Sequence, residues 1–586
     1  MSGQSHWRAL LELTTPHRTR LSVMVGVLAI AGSLPLVGPL LIASFIDGAE
    51  SGASRRFLLT VAGVYVGLGV MRQLMSIAVA WTATDLAWRV TNELRSTLTR
   101  HVLNLDLAFH RSTSPGELVS RVDGDVTALS DFVASFAVKA AAALVTLVGL
   151  VVVLLIRDWP VGLGLAAYLG IAIAAMFLVR DKAVDEAATE QAATGRLLGE
   201  VEERLTGADD LRSNGGGSHA VATFQRASAA VLASSLGREK QGVALWVFSN
   251  AVFVTGGLIA LAVDVALLRR DAITLGTAYL IFQYTQILRA PLSALADETE
   301  RVQRAAGGMV RTIQLLDEES SIRDDGTQRL PPGALALDIQ GVTFTYADEE
   351  EPIAVIDDLS LQLEAGRSIG VLGRTGSGKT TLARLLLRLV DPTNGAITLG
   401  GIDLRNVPLE DLRKRSGVVS QDVHLFGATI RDNVTLFDES ISDGRLRAAF
   451  AELDLVEWID GMPDGLDTEL GPAGSGLSAG EGQLIALTRL FLRSPDFVLL
   501  DEASSRIDPT TEQRVTRAID RLVRGRTALV IAHRLSTVER LDEILVLDAG
   551  KVAERGRTAD LRDDPTSRYA ALLAVGSDVP LDEVVA

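Results

Sequence analysis

Between residues 373 and 380 the chain reads GRTGSGKT, three glycines followed by a lysine and a threonine, with the apolar run SIGVLG (368–373) before it and TLARLLLRLV (381–390) behind it. That order is strand, glycine loop, helix, the setting a phosphate-binding loop requires. Glycines let backbone N–H groups approach phosphate oxygens, and a helix amino terminus favours negative charge. Gly373, Arg374, Thr375, Gly376, Ser377, Gly378 and Thr381 are therefore expected around a nucleoside triphosphate. Lys379 should reach its β- and γ-phosphates, and the Thr380 hydroxyl should ligate Mg²⁺.

Three other apolar runs end in polar residues: SGVVSQ at Gln421, FVLLD at Asp501 followed by Glu502, and TALVIAH at His533. Such runs suit strands buried on both faces, and open parallel sheets hold ligands at the carboxyl ends of their strands. One crevice should thus collect Lys379, Thr380, Gln421, Asp501, Glu502 and His533, a set suited to phosphoryl transfer. Asp501 would hold magnesium, directly or through water. Glu502 would orient and deprotonate the attacking water. His533 can hydrogen-bond the γ-phosphate, and Gln421 can reach both magnesium and the protein surface. Tyr346, in VTFTYADEE, offers a ring for adenine to stack on; a buried core tyrosine is the other reading. A second helix start of anion-binding type is LSAGE (477–481), where Ser478-Ala479-Gly480-Glu481 satisfies a capping box. Taken alone it is a helix start and nothing more.

These residues need an α/β domain with a parallel sheet, and short Val-, Ile- and Leu-rich runs do alternate with helical segments after the linker EESSIRDDGTQRLPPGA (318–334). The preceding half is different. Six apolar stretches, roughly 19–46, 57–82, 131–157, 160–180, 242–268 and 272–295, each satisfy the criterion of about 20 residues per membrane span. Short turns join them into three hairpins. Long polar stretches, 83–130 and 181–241, separate the hairpins and read as antiparallel helical arms of about 35 to 45 Å. Their tips are expected near Ser114-Pro115-Gly116-Glu117 and within GADDLRSNGGG (207–217). Arg72, Lys139 and Asp264 fall inside spans, where ionisable residues line polar cavities or find a structural partner. By their depth, Lys139 and Asp264 are not a mutual pair. Tyr279, Phe282, Tyr284 and Met309 are candidates to line a route for amphipathic compounds, or to serve as packing.

Composition agrees with this division. The chain has 586 residues, enough for two or more domains, and a 48% hydrophobic fraction that is high for a soluble protein. It has no cysteine, which excludes disulfides and thiolate metal sites. A formal charge of −17 argues against a nucleic-acid partner. Arginines in the short turns blur the positive-inside signal, so orientation follows from the cytosolic nucleotide: short turns outside, both termini inside.

Six spans in three hairpins, two pairs of cytosolic arms and then GRTGSGKT, LSAGE and FVLLDE resemble the ATP-binding cassette (ABC) exporters over essentially the whole chain. The resemblance implies a half-transporter with an all-α membrane domain at 1–318, a linker at 319–335, a cassette at 336–575 and a tail at 576–586. It implies ATP and Mg²⁺ as cofactors, and a location in the cytoplasmic membrane with the cassette in the cytosol. By the same resemblance Tyr346 corresponds to the A-loop aromatic, Gln421 to the Q-loop, Asp508 to the D-loop aspartate and His533 to the switch histidine. Ser478, Ala479, Gly480 and Glu481 correspond to the signature turn, which in the family grips ATP held by the opposite cassette. Here Ala479 replaces a glycine and Glu481 a glutamine, a departure that favours a heterodimer with a second half-transporter over a homodimer. The expected function is ATP-driven export of a small amphipathic molecule, a lipid or a peptide. Import or lipid flipping by the same architecture, and an ATP-gated sensor or scaffold, are the alternatives.

Overall fold

The computed structural model describes residues 15–297, 299–346, 353–421, 423–501, 509–532 and 535–575. The chain divides into two compact units.

The first, running up to Asn104 and then over Thr113–Glu318, is helical. Its long elements are α1 (Arg18–Glu50), α2 (Arg55–Asn104), α4 (Pro115–Arg157), α5 (Trp159–Thr206) and α7 (Gly217–Leu268), with α6 (Ala208–Ser213) at the second arm tip; α3 (Leu107–Ser112), between α2 and α4 in sequence, groups with the second unit. Among the described residues, α1, α2, α4 and α7 are each long and apolar enough to cross a membrane, and α5 is apolar from its start at Trp159 through Ala174. The sixth expected span is helical but divided into α8 (Leu275–Ile287) and α9 (Arg289–Asp297). Pro291 explains the division, since it has no N–H to give to the carbonyl four residues before it. A further helix, α10 (Thr299–Leu316), closes the unit.

The turns show why the hairpins form. Asp158 caps α5 by accepting from Val161 N, and Thr274 caps α8 by accepting from Thr277 N. Asp47, near the end of α1, accepts from Thr274 Oγ1 at 2.9 Å and Gly276 N at 2.7 Å. A Cβ at Gly276 would meet Ala43 O at 2.3 Å, so only glycine lets the two helix ends approach this closely. Leu36, Leu147, Leu150, Leu154, Leu280 and Leu288 form the core between α1, α4 and α8. Near the arms, α4 carries a π-helical stretch, Ser120–Asp125. There the buried Asp125 carboxylate accepts from Arg311 Nε at 2.9 Å and Nη2 at 2.5 Å, which ties α10 to α4.

The second unit takes in Leu105–Ser112 and the chain from Glu319 onward. It holds a four-stranded antiparallel sheet ordered β2-β1-β4-β5 and a six-stranded sheet ordered β10-β9-β3-β8-β7-β6. The strands are β1 (Leu337–Phe344), β2 (Ile356–Leu363), β3 (Ser368–Gly373), β4 (Asn394–Leu399), β5 (Ile402–Asp403), β6 (Ser416–Val419), β7 (Phe497–Asp501), β8 (Thr527–Ile531), β9 (Glu543–Asp548) and β10 (Lys551–Arg557). In the larger sheet β9, β3, β8, β7 and β6 are parallel and β10 runs against β9. The expected strands appear as predicted from their apolar runs, and β8 is buried at every residue. Val418 in β6 is exposed because that strand is the sheet edge. Residues 319–335 are part of this unit and are bonded into it: Arg388 Nη2 donates to Arg323 O, Leu409 N to Asp324 Oδ1, and Leu330 N to Asp411 Oδ2.

Candidate nucleotide site and membrane cavity

The phosphate loop leaves β3 at Gly373 and enters α11 (Lys379–Leu386) through Gly378, which sits in the left-handed region at φ 100°. A Cβ there would meet Val355 O at 2.8 Å, and one at Gly373 would meet Leu547 O at 2.5 Å. The glycine spacing thus makes room for a backbone cradle. Lys379 is 6% exposed, and its ammonium donates to Gly373 O at 2.6 Å and Arg374 O at 2.9 Å, folded over the loop. Ser377 Oγ is buried without a hydrogen-bond partner, the kind of orphan group a phosphate oxygen satisfies. Thr380 is exposed on the first turn of α11 and Thr381 is buried.

Strand register gathers the rest of the set. Asp501, the last residue of β7, lies beside Ile531 of β8, and Ile531 lies beside Val371 of β3. On the other side Val419 of β6 pairs with Leu500, so Gln421 emerges at the same sheet end and is exposed. Glu502, Asp508 and His533 lie outside the described residues; the first directly follows Asp501 and the last comes two residues after Ile531. The site fits Mg²⁺ and a polyphosphate. Thr380 and Asp501 would supply the hard oxygen donors that magnesium takes, and the loop would supply N–H groups and a lysine. When bound, the metal neutralises charge on the phosphates.

Tyr346 follows β1 and is half-buried. Its hydroxyl lies 3.2 Å from Thr381 Oγ1 and accepts from Arg384 Nη1 at 3.0 Å, which fixes the ring to α11. Phe344 packs against the ring edge-to-face at 4.8 Å. Arg111, at the end of α3, stands over it with its guanidinium carbon 4.6 Å from the centroid. Arg111 carries no motif, and sequence gave no signal for it.

The LSAGE turn opens α12 (Ala479–Arg493), with Ser478 in extended backbone as its cap. The capping box is complete: Glu481 N donates to Ser478 Oγ at 3.3 Å, while Ser478 N and Oγ donate to Glu481 Oε2 at 2.8 and 2.9 Å. Glu481 Oε1 accepts from Trp458 Nε1 at 3.1 Å. Ala479 is exposed and Gly480 buried. Trp458 lies 23 residues upstream in another helix, beyond the reach of a local motif.

In the membrane unit a cavity of about 570 Å³ is lined by residues of α1, α2, α4, α8 and α9, among them Arg72, Lys139, Tyr65, Tyr279, Gln283 and Gln286. Arg72 and Lys139, 67 residues apart in sequence, thus line the same cavity. Asp264 does not line it; its carboxylate is 2% exposed and has no hydrogen-bond partner. Of the four residues proposed for a route, only Tyr279 lines the cavity. Tyr284 is fully buried, its hydroxyl donating to Leu36 O at 2.7 Å, and Met309 is buried too, so both are packing.

A helical membrane unit joined to an α/β domain with a phosphate loop defines an ATP-driven membrane transporter. Residues 21–292 match the ABC transporter transmembrane region and residues 356–505 match the ABC transporter domain. An ATP-dependent lipid A-core flippase of Vibrio cholerae serotype O1 is 30% identical over 578 residues, covering 96% of either chain. One of Haemophilus influenzae is 30% identical over 92% of this chain and 90% of its own. The structure of a bacterial Atm1-family ABC exporter with ATP bound aligns with TM-score 0.82 and 24% identity over 95% of this chain and 98% of that one, a shared fold. The chain belongs to the ABC transporters. It is a multi-pass protein of the cytoplasmic membrane with its ATPase domain in the cytosol, it uses ATP with Mg²⁺, and it acts as a dimer of half-transporters.

Proposed function

We propose that this transporter moves an amphiphile with an anionic head group from the inner side of the membrane, by flipping or export. The observation that carries the reading is the cavity: Arg72 and Lys139 line it beside tyrosine and glutamine side chains, with no carboxylate among its lining residues. Basic side chains in a low-dielectric wall attract phosphate or carboxylate, while the apolar lining accepts acyl chains. The relatives' activity on lipid A-core agrees in chemical class. Replacing Arg72 and Lys139 together by alanine is expected to abolish stimulation of ATPase by anionic lipid in nanodiscs, with basal turnover kept within about twofold. Equal stimulation by zwitterionic and anionic lipid in the parent protein would exclude the reading. Transport in vesicles of known orientation separates export from import, and from a sensor that moves nothing.

The division at 1–318, 319–335, 336–575 and 576–586 belongs to the same proposal, and so do the roles of the site residues. Lys379 and the loop hold the phosphates, Thr380, Gln421 and Asp501 the metal, Glu502 is the base and His533 keeps the water in register. Ser478–Glu481 and Asp508 would face the nucleotide of the other cassette. The tail lies outside the described residues.

A heterodimer is the reading of the partner that the signature turn favours. Glu481 accepts a hydrogen bond from the Ser478 hydroxyl, and it puts a carboxylate in the turn that would grip a partner's γ-phosphate. A site closed by this turn would then be the weaker of two. Expressed alone, the chain is expected to show little ATPase, and Glu481→Gln to raise it several-fold by removing the charge. Full substrate-stimulated turnover by the parental homodimer would count decisively against the heterodimer.

A further inference from the structure

Arg111, on the first arm tip, stands over the aromatic ring proposed for the nucleotide's base. Tyr346 is fixed through its hydroxyl by Thr381 and Arg384, so its ring does not swing away from α11. Phe344 packs edge-to-face with the ring at 4.8 Å, and the Arg111 guanidinium carbon stands 4.6 Å from its centroid, so a base cannot take the face that Arg111 holds while Arg111 stays there. Arg111 is otherwise exposed, and α3, which carries it, is clustered with the ATPase unit. The segment ends at Ser112 and the helical unit resumes at Thr113, two residues before α4 begins, so a shift of Arg111 is passed to α4 along the backbone.

We infer that Arg111 is a base-displaced latch: its cation–π contact holds the segment on Tyr346 until adenine takes the ring, and its release reports nucleotide binding to the membrane-spanning part of the same chain. This rests on the proposal that Tyr346 stacks adenine.

The test uses the full-length transporter in nanodiscs, titrated with ATP. Arg111→Ala is expected to lower the KM for ATP about two- to fivefold, the worth of an exposed cation–π contact. It should also reduce the stimulation of turnover by transported lipid while leaving saturated basal turnover in place. Arg111→Lys, which keeps a cation but not the planar stack, should fall between. In a Tyr346→Ala background, Arg111→Ala should leave the KM unchanged. A raised KM in Arg111→Ala would mean that Arg111 supports the ring rather than competing for it, and would overturn the latch. So would an unchanged KM, or an equal effect with and without Tyr346. Tyr346→Ala by itself should raise the KM for ATP about fivefold or more, as loss of base stacking does. If it does not, the adenine assignment fails first, and that failure is distinguishable from one confined to Arg111.

Discussion

Glu502→Gln lowers ATP hydrolysis by about 10²–10⁴-fold while ATP binding survives, the range a positioned general base contributes. The residue follows Asp501 directly at the end of β7, where the parallel sheet delivers its polar residues to the phosphate loop. The amide keeps the size and loses only the ability to take a proton from water. With the γ-phosphate no longer removed, the dimer accumulates in its nucleotide-closed form. Single-turnover hydrolysis and gel filtration with ATP and Mg²⁺ measure both effects. Turnover near the parental rate would transfer the base to another residue.

Lys379→Ala acts one step earlier, on binding. In the structure its ammonium spends its hydrogen bonds on Gly373 O and Arg374 O, carbonyls of the loop it spans. Transferring those donors to phosphate oxygens replaces neutral acceptors by charged ones, and such bonds contribute about 1.5–3 kcal/mol. The expected loss of ATP affinity is about 10- to 100-fold, read by equilibrium titration of the purified protein. Binding of parental strength would remove Lys379 from the cradle.

The sheet and the phosphate loop were legible because their signals are local. Four buried strands read as continuous apolar runs, and GRTGSGKT follows one of them directly. The membrane half was legible for the same reason, since a span is a long apolar run whatever surrounds it. What sequence did not show depends on side chains meeting across the chain. Tyr284 looked like a candidate for a route until its hydroxyl was found donating to Leu36 O, 248 residues away. Trp458 gives its N–H to Glu481 from a separate helix, and Arg111 reaches Tyr346 across 235 positions that share no periodicity. Pro291 was visible, but periodicity alone did not say that the last span would be divided there.

Leu105–Ser112 has a consequence for how such a gene can change. Leu105 is buried, and Asp106 accepts from Ser321 N and Oγ, both at 2.6 Å, so the ATPase unit is completed by eight residues encoded more than two hundred codons upstream of the rest of it. Recombination that exchanges everything after residue 318 between two transporters would import an ATPase unit without its own arm-tip segment. The Asp106–Ser321 pair would then be matched only by chance. Selection should therefore preserve the two stretches together, and a chimera joined at 318 should regain stability when residues 105–112 are exchanged with the cassette.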